Sequence, residues 1–133
     1  MNIHIRRSGA LGDVLLTTPI VRQLRQLNPN ALIYFYTDCS QVYWGNPNLN
    51  SIFTAKSAPT NELIDLDMVY ERNPQMHIID AYAHHTFGIY MPNKSTELFV
   101  SPDQKAKVEE IIIQNNINPK NTVICHMAKS WES

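Results

Sequence analysis

The sequence predicts an α/β protein, a mainly parallel sheet with helices on both faces. Three observations carry that expectation. A strand pattern, Asn2–Arg7, runs into a short small-residue loop, Ser8–Gly12. An amphipathic helical pattern follows at once, from Asp13 to about Leu27. A second strand pattern, Ala31–Thr37, begins directly after the stop Asn28-Pro29-Asn30. Strand, loop, helix and strand with so short a return read as a right-handed parallel crossover.

Each element has its own signal. In the first strand Ile3 and Ile5 share one face. In the helix Leu16, Ile20, Leu24 and Leu27 share a face with Val21, and Arg22, Gln23, Arg25 and Gln26 lie opposite. Pro19 should bend this helix or reset its first turns, because it has no N–H and crowds the Leu15 carbonyl. The second strand is rich in Ile, Tyr and Phe. Further on, Ser51–Thr54 and Leu63–Leu66 read as short strands, and Met76–Phe87 reads as a helix. Leu98–Val100 reads as a strand, and Pro102 opens a helix reaching Asn115. Thr122–His126 reads as a last strand, making a Rossmann-like sheet of roughly five or more. A strand followed by a polar loop should lead into a helix, so the ending is expected to be the front part of a longer protein.

Composition removes several classes. The 133 residues, 44% hydrophobic and 17% charged, can bury the core of one ordinary domain. Eleven Lys and Arg against twelve Asp and Glu give a formal charge of -1, with no basic excess for nucleic acid. No apolar run approaches the ~18 residues that suggest a membrane span. Met1–Ser8 has no apolar core for a secretory signal. Cys39 and Cys125 match no metal spacing and are too few for a disulfide framework, so a reducing cytoplasm and buried thiols are expected.

The loop after the first strand carries the chemistry. In open α/β sheets ligands gather at the carboxyl ends of the strands. Gly9 and Gly12 give G-x-x-G rather than the dinucleotide G-x-G-x-x-G, and Asp13 follows. A carboxylate there repels a phosphate that the helix N-terminus would otherwise attract. The same N–H groups can hold Asp13 ionised, as a helix cap, a general base toward a hydroxyl, or both.

From Ile5 to Pro19 the chain reads Ile-Arg-Arg-Ser-Gly-Ala-Leu-Gly-Asp-Val-Leu-Leu-Thr-Thr-Pro. It resembles the opening of glycosyltransferase family 9, the bacterial heptosyltransferases and their relatives in lipopolysaccharide synthesis. The segment His126–Ser133 resembles that family's His-Pro-Gly-Ala-Ser-Trp-Pro-Ser, from which Met127, Ala128, Lys129 and Glu132 depart. The resemblance implies the acceptor-side half of a GT-B architecture, residues 1–121, with 122–133 opening a truncated donor-binding domain. It implies inverting transfer of a heptose or other hexose-like unit to a glycan or lipopolysaccharide hydroxyl. The donor would be a nucleotide-sugar, ADP-heptose among the options, with no cofactor and no obligatory metal. Asp13 matches the family's base. Arg7, Ser8, Gly12 and Thr17 fall in its acceptor-binding opening, and Lys129 and Ser130 fall near the donor phosphates. A cytoplasmic enzyme, peripheral at the inner membrane face, is the corresponding location. The isolated chain would then be inactive.

Other groups have plainer readings beside functional ones. His77, Asp80 and His84 share a helical face that suits either a metal or a polar surface. Tyr34, Phe35, Tyr36, Tyr43 and Trp44 suit a core or a sugar platform. Asp67, Glu71 and Arg72 lie near a loop in the middle region through which the family binds its acceptor. His126 ends a strand at the ligand edge, and His85 reads as surface. Two rivals stand against the transferase: a non-catalytic glycan- or partner-binding Rossmann-like module, and a nucleotide-binding oxidoreductase domain. The missing fingerprint weakens the second.

Overall fold

The computed structural model describes residues 1–126. The chain forms two compact units, Met1–Phe99 and a second from Val100 onward. The first holds four strands: β1 (Asn2–Arg6), β2 (Leu32–Tyr36), β3 (Ser51–Phe53) and β4 (Leu63–Asp65). All are parallel, in the order β3-β2-β1-β4. The expected α/β class and parallel sheet are therefore what the chain adopts.

The alternation of β1 and β2 explains how the core forms. Ile3, Ile5, Ile33 and Phe35 are buried on one face, while His4, Tyr34 and Arg6 on the other remain half-buried. His4 stacks on Tyr34, and Tyr36 stacks on Phe53. The buried face meets Ile20, Val21 and Leu24 from the helix after β1 and Ile79, Ala81 and Tyr82 from a later helix. Of the aromatic group read from sequence, Phe35 and Tyr43 are core residues with ring centroids 4.4 Å apart, and Trp44 is exposed.

Pro19 does more than bend the first helix. It divides it into α1 (Leu11–Leu15) and α2 (Thr18–Leu27). Pro19 cannot donate to the Leu15 carbonyl, and the Thr18 hydroxyl does so instead at 2.9 Å. The Thr17 hydroxyl donates to the Val14 carbonyl at 2.6 Å. Thr18 Oγ1 also accepts from the Glu97 N–H at 3.1 Å. The Thr-Thr-Pro segment is thus a helix junction whose freed carbonyls are capped by hydroxyls. Leu27, at the end of the predicted apolar face, lies exposed beyond the packed turns.

α3 spans Ile78–Phe87. His77 caps it by accepting from the Ile79 N–H at 3.2 Å, and Gly88 ends it with a φ of 73, a conformation that favours glycine. Asp80 is buried and receives Met91 N–H at 3.1 Å and Lys94 Nζ at 2.7 Å. His77 and Asp80 therefore have structural partners, and among the described residues no group of three or more His, Cys, Asp or Glu could hold a metal ion.

In the second unit α4 spans Pro102–Gln114 and opens with a capping box between Ser101 and Gln104. Its apolar residues Val108, Ile111 and Ile112 line a hollow with Ile117, Pro119 and Ile124.

Several expectations need correction. Leu98–Val100 and Thr122–His126 form no strand, so the described sheet has four strands rather than five or more. Both segments are apolar enough to read as strands, but neither finds a paired neighbour among the described residues, and Val123 and Ile124 stay exposed. His126 accordingly ends no strand and is exposed. Cys39 is half-buried and Cys125 exposed, not the buried thiols expected. No helix among the described residues is long and apolar enough to cross a membrane.

The Asp80 ion pair makes a testable contribution. Burial pushes this carboxyl up, but the Lys94 ammonium and the Met91 N–H outweigh burial and leave it below the usual carboxylate range. A carboxyl depressed in the folded state adds stability above its unfolded value near ~3.9 and loses it as pH falls through the lower folded value. The stability difference between the wild type and Asp80→Asn should be full at about pH 6 and shrink toward about pH 2. Urea unfolding across that range measures it, and a pH-independent difference would remove the ion pair from the account.

Candidate active site

The carboxyl ends of β1 and β4 lie side by side, in register at Arg6 and Asp65. Two loops leave there, residues 7–10 after β1 and 66–77 after β4. Their side chains meet. Arg6 pairs with Asp65, and its Nε lies 3.5 Å from Asp67 Oδ2. Asp67 also accepts the Ser8 N–H at 2.8 Å and the Ser8 hydroxyl. Asp67 therefore ties the loop after β4 to the loop after β1. Met68 follows with a φ of 60, a left-handed turn that reverses the chain and brings Tyr70 and Glu71 back over Arg7.

Arg7 is the centre. It is 4% exposed. Its Nη2 donates to Asp13 Oδ2 at 2.7 Å and to Glu71 Oε1 at 2.9 Å. Its Nη1 donates to the Leu66 carbonyl at 3.2 Å. The guanidinium lies 5.2 Å from the Tyr70 ring centroid and 5.9 Å from that of Tyr82. Burial alone would push Arg7 down, but Glu71 and Asp13 outweigh it and hold the guanidinium charged well above its ordinary value. Burial likewise pushes the Tyr82 hydroxyl up, only partly offset by Arg7.

Asp13 is the third residue of α1 and not its cap. The cap position is Ala10, which makes no side-chain capping bond. The cap reading is thereby corrected: the carboxylate is held by Arg7, with the Tyr70 hydroxyl donating to the same Oδ2 at 3.3 Å. Oδ1 has no hydrogen-bond partner among the described residues. The side chain is half-buried. One oxygen is anchored, and the other is open at the ligand edge of the sheet.

The remaining residues of the opening take different places. Ser8 is half-buried, with its carbonyl accepting from Asp38 N–H at 2.9 Å and its hydroxyl engaged by Asp67. Gly12 is exposed in the first turn of α1. Thr17 is fully buried, its hydroxyl 2.6 Å from the Tyr43 hydroxyl, so it meets no solvent. Lys129 and Ser130 lie outside the described residues. Sequence reading placed Glu71 and Asp67 near a loop without a role and missed Tyr70 and Tyr82. For Asp67, Tyr70 and Glu71 the available signal was their position just after a strand at the ligand edge; Tyr82 lies within α3 and gave none.

Two hollows flank this network. A polar cleft of about 540 Å³ is lined by Arg6, Asp65, Asp67, Met68, Arg72 and His85, among others. An apolar hollow of about 250 Å³ lies against Leu11, Gly12, Leu15, Val42 and Leu98, on the helix that carries Asp13.

No family model and no curated protein matches the chain. Among solved structures it is similar to the crystal structure of the glycosyl transferase family 9 from Veillonella parvula DSM 2008. The TM-score is 0.68 at 17% sequence identity, over 89% of this chain and 50% of that one. The two share a fold. This chain spans about half the length of that structure.

Removing Arg7 leaves two carboxylates facing each other without their cation. Arg7→Met should lower stability by about 2–3 kcal/mol at neutral pH, below the fully buried case because both carboxylates keep some solvent. Arg7→Lys should not restore it, since a single ammonium cannot reach Asp13, Glu71 and the Leu66 carbonyl together. Urea midpoints of the three proteins measure this, and a Met variant with the wild-type midpoint would contradict it.

Proposed function

We propose that this chain is the acceptor-binding half of an inverting glycosyltransferase similar to family 9, with Asp13 as its general base. The observation that carries the reading is the split carboxylate of Asp13. Oδ2 is fixed by Arg7 and Tyr70, while Oδ1 has no partner among the described residues. The shared fold with a glycosyl transferase family 9 structure supports the reaction class.

The chemistry runs as one displacement. An acceptor hydroxyl oxygen attacks the anomeric carbon of a nucleotide-sugar. The new glycosidic C–O bond forms as the bond to the diphosphate breaks, and the nucleoside diphosphate departs on the opposite face. The hydroxyl proton passes to Asp13 Oδ1. A base in hydrogen-bond reach of that proton is worth about 10²–10⁴-fold in rate. The ion pair fixes Oδ2 and leaves Oδ1 as the oxygen that can take the proton.

The polar cleft beside Asp67 suits a hydroxyl-rich ring, since its paired carboxylates and guanidinium groups can bond vicinal hydroxyls. Arg7 differs from the family-based expectation in its availability. It is buried and engaged by two carboxylates, so an acidic acceptor group would have to meet Arg72 or another exposed cation. Within this reading the donor is a nucleotide-sugar, ADP-heptose among the candidates, bound mainly by a second domain that residues 122–133 open, with Lys129 and Ser130 on its donor side. The acceptor is a glycan or lipid-linked glycan reached at the inner face of the membrane.

In the full-length enzyme Asp13→Asn should cut transfer by about 10²-fold or more while the fold is kept. Release of nucleoside diphosphate from the nucleotide-sugar in the presence of acceptor measures turnover, and circular dichroism checks the fold. Near wild-type turnover in that variant would remove Asp13 from the mechanism.

A further inference from the structure

Arg7 meets its two carboxylates in an unusual way. A guanidinium facing a carboxylate favours two parallel bonds, one to each oxygen. Here Asp13 receives one, from Nη2 to Oδ2. The adjacent Nε–H is buried and bonds to nothing, although Nε and Nη2 together form the edge that a carboxylate grips with both oxygens. The second interaction of Nη2 goes to Glu71 Oε1 at 2.9 Å, and Nη1 is held by the Leu66 carbonyl. The guanidinium is therefore pulled from three sides and stops short of a fork on Asp13. Such an orphaned N–H in a buried site carries a cost, so something must hold the group in place.

We infer that Glu71 is a positioning residue, holding Arg7 to a single bond with Asp13 so that Oδ1 stays open for the acceptor hydroxyl. The Leu66 carbonyl holds the other terminal nitrogen, Nη1, and among the described residues Glu71 is the group that shares Nη2 with Asp13. The Tyr70 hydroxyl touches the same Oδ2 that Arg7 uses, Tyr82 offers its ring, and Asp67 is engaged by Ser8 and Arg6. Without Glu71, Nε and Nη2 can close on both oxygens of Asp13. The free oxygen is then spent on Arg7. The catalytic consequence rests on the reading of Asp13 as base, while the geometry of the clamp does not.

The chain has five arginines, so its Nε–H groups can be followed individually by ¹H–¹⁵N NMR. The Arg7 signal is the one lost in Arg7→Lys. In Glu71→Ala it should move downfield as Nε gains a carboxylate partner, and adding Asp13→Asn should reverse that movement. In Glu71→Gln, which keeps an acceptor for Nη2, the signal should stay near its wild-type position. Glu71→Ser serves in place of Ala if the Ala variant does not fold. An Arg7 Nε–H that is unmoved in the folded Ala or Ser variant overturns the inference, as does a movement that Asp13→Asn leaves intact. Turnover in Asp13→Asn tests the base reading separately, so either idea can fail without the other.

Discussion

Arg7 is a charge buried at the carboxyl edge of a parallel sheet, and the surrounding loops are arranged to answer it. Taking a guanidinium out of water costs several kcal/mol unless hydrogen bonds and opposite charge replace the lost solvent. Asp13 comes from the helix after β1, and Glu71 from the loop after β4. The Leu66 carbonyl and the rings of Tyr70 and Tyr82 complete the enclosure. Two carboxylates on one cation leave a net negative charge at the edge, which suits a base toward a hydroxyl and repels a bare phosphate. The same interaction thus disfavours a dinucleotide site and favours a proton acceptor.

The scaffold around Arg7 explains why α1 is so short. Asp13 must sit in the first turn of α1 to reach a side chain anchored at the end of β1. The junction at Thr17, Thr18 and Pro19 lets α1 set that position while α2 turns to pack Ile20, Val21 and Leu24 on the sheet. The hydroxyls that cap the broken carbonyls are themselves buried, and the Thr17 hydroxyl is shared with Tyr43. A motif that reads as part of a binding loop is, in its second half, a device for orienting two helices independently.

Much of this was legible in the sequence, for identifiable reasons. β1, β2 and α2 follow strong local periodicities, and the short return between them leaves one plausible crossover. Asp13 stood out because an acid follows the loop glycines where a phosphate site would avoid one. Its partner did not stand out, because the pairing of Arg7 with Glu71 joins residues 64 positions apart and depends on how the loop after β4 turns at Met68. Tyr82 was hidden inside a helix whose burial cannot be read from spacing alone. Leu98–Val100 and Thr122–His126 had strand composition, yet a strand is made by its neighbours as much as by its residues.

The central claim is that Asp13 presents one open carboxylate oxygen to an acceptor hydroxyl while Arg7 holds the other. The most direct test is a crystal structure of the full-length protein with acceptor and a non-transferable nucleotide-sugar bound. The account predicts the acceptor hydroxyl within about 2.6–3.2 Å of Asp13 Oδ1, with Oδ2 still on Arg7. An acceptor hydroxyl placed on another residue, with Asp13 bound by Arg7 through both oxygens, would contradict it.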